Sequence, residues 1–200
     1  GVSSHQLDTP DRGFSIRYES NLDMRMDQRS RLTAAVILNT YSSEELQRLF
    51  EEYGEVTNAK SLAKRIVSYR NRQTLQTIQE FRQLIADHIY GTPQKYLAQV
   101  FQALRIEVND ELGALQSFLD TLPAQMLPGA RMALITFHSL EDRIVKQWMK
   151  PEVEDALRGK KHHNWKLITR KPVLPSEEEQ KQNPRSRSAK LRVAEKLNHT

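Results

Sequence analysis

The sequence predicts an α/β chain in which a helical block precedes a small sheet, and three observations lead to that expectation. The run from Met132 to Phe137 is apolar, short and uninterrupted, which fits a strand buried on both faces rather than one alternating with solvent. The period then changes: Leu140, Ile144, Val145 and Trp148 recur at helical spacing, and Ser139 with Asp142 three residues later can cap that helix. Upstream, from Leu32 to Leu122, apolar residues keep helical spacing between successive capping signals. The polar corner Phe137-His138-Ser139 falls at the carboxyl end of the strand, the edge where open α/β sheets place their ligands.

Taken in order, Gly1-Val2-Ser3-Ser4 reads as the loop after a strand. From Gln6 to Asp27 there is little periodicity but much special chemistry, in Asp8, Pro10-Asp11, Arg12-Gly13-Phe14-Ser15 and Leu22-Asp23-Met24-Arg25-Met26-Asp27, and a long ordered loop of this kind is usually functional. Thr33 caps a first short helix. Ser42 with Glu45 forms a capping box for a second, ending at Tyr53-Gly54. Asn58 opens a third, with Leu62, Ile66 and Tyr69 on one face, and Thr77 with Glu80 opens a fourth that stops at Tyr90-Gly91. One long helix is expected from about Gln94 to Leu122, tolerating Gly113 and closed by Pro123 and Pro128-Gly129. After Pro151, residues 152–164 read as a polar connection. Trp165–Arg170 is a second strand, Ser176 with Glu179 caps one more helical turn, Asn183-Pro184 breaks it, and Ala189–Glu195 alternates like a last strand. Three strands are too few to bury Met132–Phe137 on both sides, so part of a sheet is expected to lie outside this sequence.

Composition narrows the class. With 38% hydrophobic and 28% charged residues the chain is ordinary for a globular protein, and its apolar runs are too short for a membrane span. No signal pattern opens it, and the absence of cysteine excludes disulfide and thiolate-metal chemistry and fits a cytoplasmic setting. From Arg143 to Thr200 there are 15 Lys and Arg against 7 Asp and Glu, a balance of +8 that leaves residues 1–142 at −3 within the net +5. A basic C-terminal third suits a phosphate-binding face or a solubilising surface equally.

Six segments, in this order, resemble the successive motifs of the bacterial small-subunit ribosomal RNA methyltransferase H family, also called MraW. They are Gly1–Asp8, Arg12–Ser15, Leu22–Asp27, Phe101–Asn109, Phe137–Arg143 and Asn183–Arg192. The resemblance covers nearly all of this chain but only the later part of the family's, without the first strands and the glycine-rich cofactor loop. It implies the C-terminal part of a Rossmann-like, S-adenosyl-L-methionine-dependent methyltransferase domain with an all-helical insertion, acting on the exocyclic N4 of a cytidine in the decoding region of 16S rRNA. The division it implies is an active-site loop region over 1–31, a substrate-recognising helical insertion over 32–94, and the remainder of the methyltransferase domain with strands five to seven over 95–200. The implied cofactor contact that can be carried over is Gln6. Ahead of Phe101, where many members have a His-Pro-Ala-Thr-Arg-type run, this chain has Lys95-Tyr96-Leu97-Ala98-Gln99, so no RNA contact is carried over from that arginine. The implied partners are 16S rRNA and the small ribosomal subunit, with homodimerisation left open; alone, the chain is expected to be inactive.

Methylating an exocyclic amine requires a held base, acceptors for the amino hydrogens and removal of a proton. Ser3, Ser4, His138 and Ser139 are the candidates for lining such a pocket, since the Asn/Asp-Pro-Pro-Tyr motif of many amino methyltransferases is not present. Each has a plainer reading: Ser139 as a helix cap, His138 as a backbone-bonded turn residue. Asp23 and Asp27 flanking Arg25 read as an ion-paired loop anchor before a metal site, and no metal is expected. Arg185, Arg187, Lys190 and Arg192 either grip phosphates or merely alternate along a half-exposed strand. Arg105 and Asn109 either face the site or satisfy loop backbone. Two alternatives to the enzyme remain at this level: a non-enzymatic RNA-binding module, and a helical interaction domain with an incidental basic tail.

Overall fold

The structure, a computed structural model, describes residues 2–16, 18–150 and 165–197. It divides into two compact units, Gly1–Glu111 and Leu112–Thr200. The expected polar connection at 152–164 lies outside the described residues.

The first unit is helical. A short helix α1 (Ser4–Asp8) precedes a long loop, followed by α2 (Ala34–Thr40), α3 (Ser43–Glu52), α4 (Ala59–Arg70), α5 (Ile78–Ile85) and α6 (Pro93–Asn109). Local chemistry sets most of these starts. Thr33 Oγ1 accepts the Val36 N–H, and the Ser42/Glu45 and Thr77/Glu80 pairs close reciprocal capping boxes as expected. Asn58 occupies the cap of α4 without a side-chain capping bond. The fourth helix is shorter than its periodicity suggests: α5 ends at Ile85 and tightens into a 3₁₀ turn over Ala86–His88. Ile37, Leu46, Phe50, Leu62, Ile66, Phe81, Val100 and Leu104 form the core of this unit, with the Phe81 and Phe101 rings 5.8 Å apart.

The single long helix expected from Gln94 is instead two. Asp110 adopts the left-handed conformation at φ 47°, ψ 46°, its N–H bonding to the Ile106 carbonyl, and ends α6 before α7 (Glu111–Gln125) begins. Aspartate takes this conformation more readily than most side chains, so no glycine marks the stop. Pro123 also sits inside the last turn of α7 rather than ending it. Lys196 reaches that terminus and donates through Nζ to the Pro123 and Met126 carbonyls at 2.7 and 2.8 Å.

In the second unit, β1 (Arg131–Thr136), α8 (Ser139–Trp148), β2 (Trp165–Leu167), α9 (Glu177–Gln182) and β3 (Lys190–Lys196) follow α7. The sheet has order β1-β3-β2 and is antiparallel throughout, with Met132 opposite Ala194 and Leu134 opposite Arg192. Leu119 of α7, Val145 and Met149 pack on Met132, Trp165 and Ala194. The expectation of a strand buried on both faces is not met. Met132 and Thr136 are buried, but Ile135 is 59% and Phe137 51% exposed, because the second unit's own helices supply only one covering layer and β1 is an edge strand among the described residues. The second strand also stops early: beyond Leu167 the Ile168 and Thr169 N–H groups share the Val193 carbonyl instead of continuing the ladder.

Candidate functional site

In the first unit, the motif-bearing loop is fastened to the helices around it. Leu22 N–H bonds to the Gln76 carbonyl, Ile78 N–H to Ser20, and Ala34 and Ala35 N–H to Asp23 and Leu22, so the loop borrows the open ends of α2 and α5. Asn109, at the end of α6, supplies the central clamp. Its Oδ1 accepts the Met26 N–H at 2.7 Å and its Nδ2 donates to the Met24 carbonyl at 2.8 Å, so it satisfies loop backbone rather than presenting a free amide. Arg105 is likewise committed, pairing with Glu111 at 2.6 Å. The clamp holds Met24, 1% exposed, at φ 61°, a conformation that costs a non-glycine residue about 1–3 kcal/mol.

Asp23 grips Arg25 at 2.7 and 2.8 Å, and Arg25 in turn donates to the Gln28 and Ser30 carbonyls. Burial works to raise the Asp23 carboxyl, and the Arg25 guanidinium and N–H overcome it, holding the group below its ordinary value. Asp27 pairs separately with Arg29 on the surface. Asp23 alone is thus the ion-paired anchor of the loop, Asp27 bonding its exposed neighbour Arg29 instead of Arg25, and no cluster of metal-ligating side chains occurs among the described residues.

Ser3 and Gln6 close a reciprocal capping box on α1: Ser3 Oγ accepts the Gln6 N–H at 3.2 Å and Gln6 Oε1 accepts the Ser3 N–H at 2.9 Å. This uses the acceptor of Gln6 and leaves its amide hydrogens for another group. Ser3 and Ser4 are exposed.

In the second unit, the corner after β1 differs from expectation by one residue. His138, extended at φ −143°, ψ 169°, is the cap of α8 and Ser139 is its first helical residue. His138 Nδ1 accepts the Glu141 N–H at 3.4 Å, which puts the neutral ring's proton on Nε2, itself 3.4 Å from Glu141 Oε1. The other Glu141 oxygen accepts the Phe137 N–H at 2.8 Å. Asp142, expected to cap, is instead buried and held bidentately by Arg192, with Lys190 Nζ 3.6 Å from Oδ2. The Arg192 guanidinium, joined by Lys190, holds the Asp142 carboxyl below its usual range.

That ion pair corrects the reading of the basic tail. Arg192 is 7% exposed and committed to Asp142, so it offers no surface to a phosphate. Arg185 and Arg187 are exposed, but they sit in a 3₁₀ turn over Pro184–Ser188, not on an alternating strand, with Ser186 buried between them. Arg187 lines a hollow of about 350 Å³ with Lys181, Gln180 and Glu177. A second polar hollow, of about 360 Å³, was not anticipated from sequence: Tyr41, Arg48, Tyr53 and Glu107 line it, and Tyr41 donates to Glu107 at 2.7 Å. Burial, then Glu107, pushes the Tyr41 hydroxyl well above its ordinary value.

Together these are an α/β protein's strand–helix corner and a separately braced motif loop, both built from residues that carry the resemblance. A model of the MraW methylase family matches residues 1–197, and the chain belongs to that family. It is similar to the proteins named ribosomal RNA small subunit methyltransferase H of Bacteroides thetaiotaomicron (48% identical) and Amoebophilus asiaticus (48%), and of Trichormus variabilis (46%), in each case over 98% of this chain. The chain spans 66%, 65% and 61% of the length of those relatives.

Proposed function

We propose that this chain is the catalytic-corner and substrate-facing portion of an S-adenosyl-L-methionine-dependent methyltransferase that modifies the N4 amino group of a cytidine in the decoding region of 16S rRNA. The observation that carries the reading is the 48% identity to small-subunit rRNA methyltransferases along 98% of the chain, motif loop and strand–helix corner included. In this reading the partner is the small ribosomal subunit, the setting is cytoplasmic, and residues 32–94 form the helical insertion of a Rossmann-like domain. No helix among the described residues is long and apolar enough to cross a membrane.

Of the groups that would hold the cofactor, this chain contributes Gln6, whose amide hydrogens remain available once its Oε1 has closed the box with Ser3. The bound cofactor supplies an electrophilic methyl group. What the chain's own residues do is hold and orient. The Asp142–Arg192 pair locks the first turn of α8 to β3, fixing where Phe137, His138 and Ser139 sit. His138 serves that corner through Nδ1 as cap, and it stays with Ser3, Ser4 and Ser139 among the candidates to line the pocket and accept hydrogen bonds from the cytosine amine, whose proton passes to solvent water. Arg185 and Arg187, both exposed, suit phosphate contacts.

Calorimetric titration of S-adenosylmethionine tests this, using the chain alone and the chain joined to the part of the B. thetaiotaomicron relative that it does not cover. Saturable binding by the joined protein, weakened at least tenfold by Gln6→Ala, is expected; no binding by the joined protein would end the enzyme reading.

A further inference from the structure

The net −3 of residues 1–142 conceals a strongly basic face. From Val56 to Gln79 there are five Lys and Arg and no Asp or Glu. Most of them lie on α4, whose Ala59, Leu62, Ala63 and Ile66 are buried, so the helix's periodicity turns the cations outward together. Ser61, Lys64, Arg65, Ser68 and Arg72 fall on one side at three- and four-residue spacing, and with Leu84, His88 and the half-buried Tyr69 they line an open groove of about 480 Å³. Arg65 fixes one wall, its Nε donating to the Leu84 carbonyl at 2.7 Å with Asp87 3.6 Å from its other end. Arg70 is spent on the Leu38 and Tyr41 carbonyls. Lys60, Lys64 and Arg72 are exposed and carry no ion pair or hydrogen bond to any described residue.

We infer that this face of α4 is a second RNA-binding surface, separate from Arg185 and Arg187, in which Lys60, Lys64 and Arg72 neutralise successive phosphates of a single strand. The Ser68 hydroxyl stands between Lys64 and Arg72 as a hydrogen-bond donor to phosphate oxygens, the Ser61 hydroxyl being already donated to the Asn58 carbonyl at 3.0 Å, and Tyr69 brings an aromatic ring to the same groove, a combination suited to single-stranded RNA. Three unpaired cations, Lys60 and Lys64 on α4 and Arg72 in the turn just after it, with no carboxylate between Val56 and Gln79 to balance them, are complementary to a polyanion and to no acidic patch of this unit that the structure pairs with them. The inference rests on the reading of the protein as an RNA methylase, and adds to it where the substrate's flanking strand lies.

The test is fluorescence anisotropy of a short labelled single-stranded RNA across a salt series, with wild-type chain and the double variant Lys64→Gln/Arg72→Gln. Both side chains are exposed, so melting curves should coincide. Removing two phosphate contacts is expected to weaken binding at least tenfold at low salt and to flatten the log–log salt slope by about 1.4, at about 0.7 per contact for single strands. An unchanged affinity and slope, with RNA binding by wild type intact, overturns this proposal alone. No RNA binding by wild type also overturns this proposal, while the methylase reading is decided separately by cofactor binding of the joined protein. Loss of binding to anionic lipid vesicles with the RNA slope unaltered overturns it in favour of a membrane surface.

Discussion

Arg192 and Asp142, fifty residues apart in sequence, meet in a buried bidentate pair, Nε to Oδ1 at 2.7 Å and Nη2 to Oδ2 at 3.1 Å. The pair ties the start of α8 to the middle of β3, with Asp142 9% and Arg192 7% exposed. Removing one partner strands the other charge in a poorly solvated site. Asp142→Ala is therefore expected to cost about 3–5 kcal/mol in urea unfolding, whereas Asp142→Leu combined with Arg192→Met should recover most of that loss. A double variant no more stable than the single one would show that the pair is not what holds the corner.

The same pair sets an acid limit. Because the folded Asp142 carboxyl lies below its ordinary 3.8, the unfolded chain takes up the proton first as pH falls. The stabilisation is present in full above that ordinary value and is lost as pH drops through the folded one, between about pH 5 and 2. Asp23, depressed as well once Arg25 outweighs its burial, adds in the same direction. Urea midpoints should fall steeply over this range for the wild type and less steeply for Asp142→Asn.

Asn109 carries the motif loop. Replacing it with alanine removes the acceptor for the Met26 N–H and the donor to Met24, and should cost about 2–3 kcal/mol, since a part-buried amide is left unmatched. Hydrogen exchange reads the effect locally: amides of Met24 and Met26 should lose protection far more than those of α4. Uniform loss across the unit would mean Asn109 supports the whole helical core instead.

Gly13 tests how tightly the loop is folded against itself. It stands at φ 71°, and a Cβ there would lie 2.5 Å from the Asn21 carbonyl oxygen and 3.0 Å from the Asp23 nitrogen. Gly91 has a similar φ of 80° but open space around it. Gly13→Ala should thus cost well over the about 1–2 kcal/mol that left-handed strain alone imposes at Gly91→Ala. Thermal melts of the two variants side by side decide it; equal shifts would mean the loop yields.

What could be read in the sequence was what short-range chemistry determines. Ser42 with Glu45 and Thr77 with Glu80 mark helix starts because cap and partner lie within one turn. The Asp110 stop was invisible because the apolar stripe runs through it and an aspartate, not a glycine, takes the left-handed turn. His138 and Ser139 are both able to cap, and only the backbone at His138 decides between them. Arg192 looked like a phosphate ligand because alternation along a strand is the same whether the partner is RNA or Asp142. The basic face of α4 was hidden in a segment whose summed charge is negative.

The most direct measurement is methyl transfer itself. The chain joined to the uncovered part of its relative, given tritiated S-adenosylmethionine and small ribosomal subunits that lack the modification, should label one cytidine of the decoding region at N4, and Gln6→Ala should lower that labelling at least tenfold. Labelling of another nucleotide, or none with the cofactor bound, would contradict the assignment.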